Sequence, residues 1–445
     1  MKNKLSIVLS LFLVGFTSPL LANTIKWSMP GDSLTLDPHA QNEGPTHMVS
    51  RQVYEGLVTH DINMNIVPQL AISWEAVDPE TWVFNLRDGV KFHDGSDLTA
   101  ADVAFSINRA RTAPSDMVDL IKSITSATAL DDLTVEIKTE GPNPILLNQL
   151  VQIFVMSESW SKEMGCELSY NWDAGETSKC ASAANGTGPF EITLREQDVR
   201  TVFERNQNWW GDQNQFNIDK IELLPIKNDA TRIAALLSGE IDYTNVVPVQ
   251  DLDRIAASAD HQISQVAQNR TIFFGLDQGS AELSSSNIKG KNPFADKRVR
   301  QAMYQALDMD AIKDKVMRGQ SFPAGIITAP GVNGYTKAHD ARLPYDPNAA
   351  KQLLADAGYP DGFEVTLDCP NDRYINDEAI CVAAIGVETN IDTRNQLIAE
   401  GWDIIRDNIP YLPLHHQVVN QASKSNVDIH ARINNEPLFY FANVN

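Results

Sequence analysis

Thr81–Ala110 reads TWVFNLRDGVKFHDGSDLTAADVAFSINRA. Trp82, Phe84 and Leu86 alternate with Val83, Asn85 and Arg87, the period-2 pattern of a half-buried strand. Asp88-Gly89 follows as a two-residue hairpin signal, because glycine takes positive φ without a Cβ clash. Val90 and Phe92 resume the alternation, so a returning strand is expected there, and Asp94-Gly95 turns the chain again. Thr99-Ala100-Ala101-Asp102 reads as a capping box in which Asp replaces the usual Glu. Val103, Ile107 and Ala110 then share one face of the helix that follows. The local expectation is a β-hairpin feeding an amphipathic helix.

The same reading extends in both directions. Ile25, Trp27 and Met29 alternate in a first strand that Pro30-Gly31-Asp32 breaks, and a helix is expected over His47–Leu57. Further strands are expected at Leu133–Lys138, Thr201–Glu204, Lys220–Ile226, Ile241–Tyr243 and Phe363–Leu367. Asp229 is expected to cap a helix over Ala230–Ser238 that Gly239 stops. Asp296 caps another, with Val299, Met303 and Leu307 on one face, and Asp346-Pro347 opens a third that Gly358 closes. Strands and helices interleave, which is the pattern of an α/β protein.

The chain has 445 residues, enough for two or three domains, and 43% of them are hydrophobic. Lys plus Arg is 36 against 58 Asp plus Glu, a formal charge of −22. That balance argues against nucleic-acid binding and against docking on anionic lipid. Lys2 and Lys4 precede an apolar run from Leu5 to Phe16, and Ala22 is a small residue suited to a cut. Residues 1–22 therefore read as a secretory signal, too short to span a bilayer. No later stretch is long and apolar enough to insert in a membrane. The cysteines stand at 166, 180, 369 and 381 and allow three connectivities. Cys166–Cys180 and Cys369–Cys381 are favoured, because each closes a short local loop. Four free thiols are the alternative.

The run from Trp82 to Arg109 resembles the signature of the peptide/nickel class of periplasmic solute-binding proteins, extracellular solute-binding protein family 5, which serve ABC importers. The resemblance continues in order through YEGLV at Tyr54–Val58, GTGPF at Gly186–Phe190 and RNQNWWG at Arg205–Gly211. It goes on through TRIAALLSGEID at Thr231–Asp242, PFADKRVRQAMYQALD at Pro293–Asp308 and DPNAAKQLLADAGYPDGF at Asp346–Phe363. It implies a two-lobed periplasmic binding protein fold, type II and class C-like, with hinge strands between the lobes. Lobe I, with an extra subdomain, would take residues 23–269 and 418–445, and lobe II residues 270–417. It also implies a non-enzymatic, periplasmic protein that captures a peptide-like solute and delivers it to permease subunits, and acts as a monomer.

Family resemblance implies ligand contacts at Gln41, Tyr54, Asn185, Thr187 and Gly188, with Arg373 for a ligand carboxylate. One block is missing. Ala379–Gly386 runs directly into Val387-Glu388-Thr389-Asn390, so lobe II reads as incomplete between 386 and 387. The family's Gly-Trp motif and the Asp that binds a peptide amine have no counterpart here, and weak peptide binding is expected. Alternative ligands on the same fold are a nickel-chelate, haem, an oligosaccharide or an opine. His415-His416 would be a poor chelate, since neighbours on a strand point to opposite faces; no metal and no cofactor are expected. An exported hydrolase is the competing class, but neither Gly-x-Ser-x-Gly nor His-Glu-x-x-His occurs.

Overall fold

The alternation at Ile25 and Trp27 buries both side chains completely and sets the strand Thr24–Ser28 in the middle of an eight-stranded sheet. The structure, a computed structural model, describes residues 23–365, 409 and 411–445. The expected signal 1–22, the Cys369–Cys381 pair, Arg373 and the Gly386–Val387 junction lie outside the described residues. The sheet runs His261–Gly275, Tyr411–Lys424, Tyr243–Thr244, Thr24–Ser28, Lys220–Leu223, Arg200–Arg205, Phe190–Glu196, with Ser321–Pro323 added to Tyr411–Lys424. Thr24–Ser28 is parallel to both neighbours, and the other pairs are antiparallel. One face carries an aromatic core in which Trp27 meets Phe439 at 5.3 Å between ring centroids.

A second, four-stranded antiparallel sheet is ordered Ala71–Asp78, Thr81–Leu86, Thr134–Thr139, Ile124–Asp131. The helix Ala100–Ala110 covers it with Val103, Ile107 and Ala110, all buried against Phe84 and Ile137. Its start is capped as expected: Thr99 N–H donates to Asp102 Oδ2 at 2.9 Å. The returning strand at Val90–Phe92 does not form. Both edges of Thr81–Leu86 are already taken, one by the preceding strand Ala71–Asp78 across a tight turn and the other by the distant Thr134–Thr139, so residues 90–98 fold on themselves. Phe92 N–H bonds Ser96 O and Leu98 N–H bonds Val90 O, which buries Val90, Phe92 and Leu98.

Other boundaries move for identifiable reasons. The helix expected over His47–Leu57 is Gly44–Val53, because Glu43 accepts from Thr46 N–H at 2.6 Å and Pro45 suits a first turn. Asn228 replaces Asp229 as N-cap, accepting from Thr231 N–H at 2.9 Å. Gly239, at φ +80°, ends that helix as expected. Lys220–Leu223 and Tyr243–Thr244 are shorter or later than expected. At 363–367 the described part holds only a bridge from Val365 to Ser286.

Cys166 and Cys180 are bonded, with Cα atoms 6.4 Å apart, and both are buried. The bond closes the polar loop that follows the helix Glu158–Met164. Replacing both by alanine is expected to lower unfolding stability by about 3 kcal/mol, the loop-entropy value for a closure of this length. Urea titration checks this; a loss below about 1 kcal/mol would mean that the loop is held by its hydrogen bonds alone.

Two strands of unusual length, His261–Gly275 and Tyr411–Lys424, run side by side from the large sheet to a separate core. Their ladder shifts register between Ala267 and Thr271, opposite Val418 and His416. Beyond the shift, Phe274 and Leu412 pack with Tyr304 and Ile409. The helices Lys297–Ala306 and Pro347–Asp356 build the rest of this second body around Leu283, Phe294, Val299 and Tyr359.

Candidate functional site

Val53 ends its helix and Tyr54-Glu55-Gly56 leaves it extended, which turns the Glu55 carboxylate into the interior at 1% exposure. Four donors from three other segments converge on it. Trp210 Nε1 reaches Oε2 at 2.7 Å and Thr187 Oγ1 reaches the same oxygen at 2.8 Å. Trp209 Nε1 and Gln69 Nε2 reach Oε1 at 3.1 and 3.5 Å. The Arg87 guanidinium lies 4.0 Å over the Trp210 ring. Burial pushes the Glu55 carboxyl up to about 7, and the four hydrogen bonds oppose burial without cancelling it.

A carboxyl raised in the folded state keeps a proton that the unfolded chain has lost. Stability is therefore expected to fall as pH rises from the ordinary value of 4.5 through about 7. The change is on the order of 3 kcal/mol. Glu55→Gln removes this slope. Urea titrations between pH 5 and pH 8 check it, and equal slopes in both proteins would refute it.

The turn 185–188 is fastened beside this carboxylate. Asn185 Nδ2 donates to Asp94 Oδ2 at 2.8 Å, and Asp94 N–H returns to Asn185 Oδ1 at 3.2 Å. His93 Nε2 bonds Gly188 O at 3.1 Å, while Gly186 N–H donates to His93 Nδ1 at 3.3 Å. These contacts assign the proton to Nε2, and burial lowers the imidazole pKa, which keeps it neutral. Gly188 N–H donates to Val53 O at 2.8 Å.

Four of the residues expected to touch ligand, Tyr54, Asn185, Thr187 and Gly188, therefore meet around the end of one helix. Their polar atoms are engaged by the protein. Tyr54 is buried and its hydroxyl donates to Leu36 O at 3.3 Å. Gln41 is 7% exposed, in the loop before the same helix. Arg373 lies outside the described residues. Sequence reading passed over Glu55, Trp209 and Trp210, although all three stand inside YEGLV and RNQNWWG. Nothing local marks a glutamate that turns inward.

At the register shift a second polar cluster joins the crossing strands to the second body. Thr271 Oγ1 and His416 Nδ1 are 2.7 Å apart, and His416 Nε2 is 3.1 Å from Asp340 Oδ2. Asp340 also accepts from Gly325 N–H at 2.7 Å and from the Tyr335 hydroxyl at 3.0 Å. The chain 325–342 is thus moored to the strands where their ladder shifts register. Among the described residues no group of His, Cys, Asp and Glu converges as a metal site, and no helix is long and apolar enough to cross a membrane.

Residues 65–396 match the family model described as bacterial extracellular solute-binding proteins, family 5, middle. The glutathione-binding protein GsiB of Pectobacterium atrosepticum is 28% identical over 369 residues, which cover 80% of this chain. The match spans 66% of that relative, just under two thirds of its length. Among solved structures, the periplasmic binding protein DppA of Helicobacter pylori with the peptide STSA superposes with a TM-score of 0.78. It is 19% identical and covers 95% of this chain and 98% of its own. AgaA of A. tumefaciens R10 with agropinic acid gives 0.77 at 20% identity, covering 95% and 99%. At these identities the superpositions establish the fold, a two-lobed α/β binding protein.

Proposed function

Because the chain belongs to the bacterial extracellular solute-binding proteins of family 5, with three quarters of its length inside the family match, we propose that it is the exported solute-binding component of an ABC importer. It captures a peptide-like solute between two lobes and hands it to membrane permease subunits. It performs no chemistry on the solute and acts as a monomer. The observation that carries this reading is the pair of long strands passing between two packed cores, with a register shift midway. We place the hinge there, with lobe I at 23–269 and 418–445 and lobe II at 270–417. A break in the register of the crossing strands absorbs rotation that a continuous ladder resists, and closure about such a hinge encloses a ligand.

Export by cleavage near Ala22 belongs to the same reading. Asn23 N lies 2.9 Å from Asp219 Oδ2, so an ammonium released at Asn23 would meet a carboxylate. The names of the relatives bear on the solute: glutathione for one, the peptide STSA for another. Agropinic acid in a third makes an opine the second reading.

Thermal melting with glutathione, Ser-Thr-Ser-Ala, Met-Leu and agropinic acid tests the proposal. A ligand held between the lobes should stabilise by about 2.7 kcal/mol at a hundred times its Kd, and mass spectrometry should recover it unchanged. No shift with any solute, or turnover of one, overturns the reading. The absent amine-binding block adds a sharper expectation. A charge-assisted contact to the peptide ammonium is worth about 1.5–3 kcal/mol, or tenfold and more in affinity. Without it, Ser-Thr-Ser-Ala and its N-acetyl form should differ by less than about threefold in calorimetric titration. A tenfold preference for the free amine would mean that another residue replaces the missing Asp.

A further inference from the structure

Arg432 is 2% exposed, yet only part of its guanidinium is used. Nη2 donates to the carbonyls of His60 and Asp61, at 3.2 Å each. Nε and Nη1 are buried and have no acceptor among the described residues. Arg51, also buried, stands in the same electrostatic neighbourhood and is ion-paired to Glu436. Burial alone would raise the Glu436 carboxyl. Arg51, His47 and Arg432 hold it below the ordinary value, so it is ionised. Burial, reinforced by Arg51 and Arg432, lowers His60 to about 4, so His60 is uncharged at neutral pH. Its Nδ1 has no partner among the described residues either. The other acid near Arg432 is Asp61, whose exposed carboxylate already accepts from Asn63 and Asn65. Two buried guanidiniums thus face one buried carboxylate, with the Asp61 charge only at the exposed margin, and two N–H directions of Arg432 are left unanswered.

The cluster stands at the seam of the lobes. The neighbouring Ile433 carbonyl accepts from Asn269 N–H at 3.0 Å, at the register shift of the crossing strands. On the other side, a Cβ at Gly331 of the second body would lie 3.2 Å from Ile433 Cδ1. We propose, resting on the solute-binding reading, that Arg432, supported by Arg51, seats a carboxylate group of the captured solute. The carboxylate oxygens accept from the unanswered N–H groups once the lobes have opened to admit it, and closure buries the pair. A chain of formal charge −22 repels an anionic solute at long range. Salt screens that repulsion beyond about 10 Å, so the two unanswered N–H groups of a buried guanidinium at the seam decide whether a carboxylate is accepted.

Calorimetric titration and thermal melting test the seat with Ala-Ala-Ala, its C-terminal amide, succinate and dimethyl succinate. The wild-type chain should bind the free acid at least tenfold more tightly than the amide, and Arg432→Gln should bring the two within about twofold. Glu436→Gln frees both guanidiniums: the unliganded Tm should fall while the preference for the acid grows. A purely structural cluster predicts no change in that preference, so this variant decides the matter even if Arg432→Gln fails to fold. Equal binding of acid and amide by the wild type removes the seat and leaves the solute-binding reading standing. If no peptide binds but succinate, unlike its ester, raises the Tm of the wild type and not of Arg432→Gln, the seat stands and the peptide reading falls. If no probe binds, the seat is refuted.

Discussion

Arg109→Met is expected to destabilise the protein by about 3–5 kcal/mol, because it strands a charge in the interior. Arg109 and Asp37 are both fully buried at their side chains. The guanidinium donates to Asp37 Oδ1 at 2.9 Å and to Oδ2 at 2.5 Å. Nη1 also lies 3.0 Å from His39 Nδ1, and the remaining N–H groups reach the carbonyls of Cys166 and Leu168 at 3.1 and 3.2 Å. Burial, reinforced by Arg109, takes His39 down to about 3, so its ring is neutral beside the ion pair, and burial, the larger cause, still opposes a charge there when Arg109 is gone. His39 Nε2 is committed to Phe154 O at 3.0 Å. Removing Arg109 therefore leaves Asp37 unpaired and two carbonyls of the disulfide loop without donors. The double variant Arg109→Met with Asp37→Asn should recover a large part of the loss, since coupled partners are not additive. Urea titration of the three proteins measures it. A single-variant loss below about 1 kcal/mol would show that water reaches the pair.

What the sequence made legible is what neighbours in the chain decide. Thr99 and Asp102 are three residues apart, and their cap forms because both partners belong to one helical turn. Gly239 and Gly358 stop helices because φ beyond +80° or so is open to them at no steric cost. The Cys166–Cys180 bond follows for the same reason, a short loop with two thiols at its ends. The order of motifs added the two-lobed fold. What stayed hidden is decided across long separations. Nothing in TWVFNL says that the edge left free by its hairpin with Ala71–Asp78 goes to the distant Thr134–Thr139 rather than to the residues just after Asp88-Gly89. Glu55 and Trp210 are 155 positions apart, and Arg432 and His60 are 372. Charged residues read as surface until the fold brings their partners to them. The polar side chains expected as ligand contacts, Asn185 and Thr187, lie near the Tyr54 segment. The structure adds that Asp94 and Glu55 occupy their hydrogen bonds.

Gly186→Ala should be still less tolerated, with a loss of roughly 4 kcal/mol or more, or no native fold at all. A Cβ built at Gly186 would lie 2.0 Å from the Val53 carbonyl oxygen, 2.8 Å from its carbon and 2.9 Å from Tyr54 Cδ1. Two of these are backbone atoms at the end of a buried helix, so no side-chain rotation relieves the overlap. Gly188 is nearly as tight, at 2.6 Å from the same oxygen. The turn and the helix end must therefore separate, and what lies between them follows. Thr187 would leave Glu55, and the Gly188 N–H bond to Val53 would break. Trp209 and Trp210 both donate to Glu55, so any folded fraction should show altered tryptophan emission as well as a lower urea midpoint. Gly31→Ala is the control: nothing lies within 4 Å of its Cβ position, and its φ is not positive. It should change stability by less than about 1 kcal/mol. If Gly186→Ala melted like Gly31→Ala, the close approach of the turn to Val53 would be wrong. The placement of Thr187 and Gly188 against Glu55 and Val53 would be in question with it, since both hydrogen bonds flank this contact.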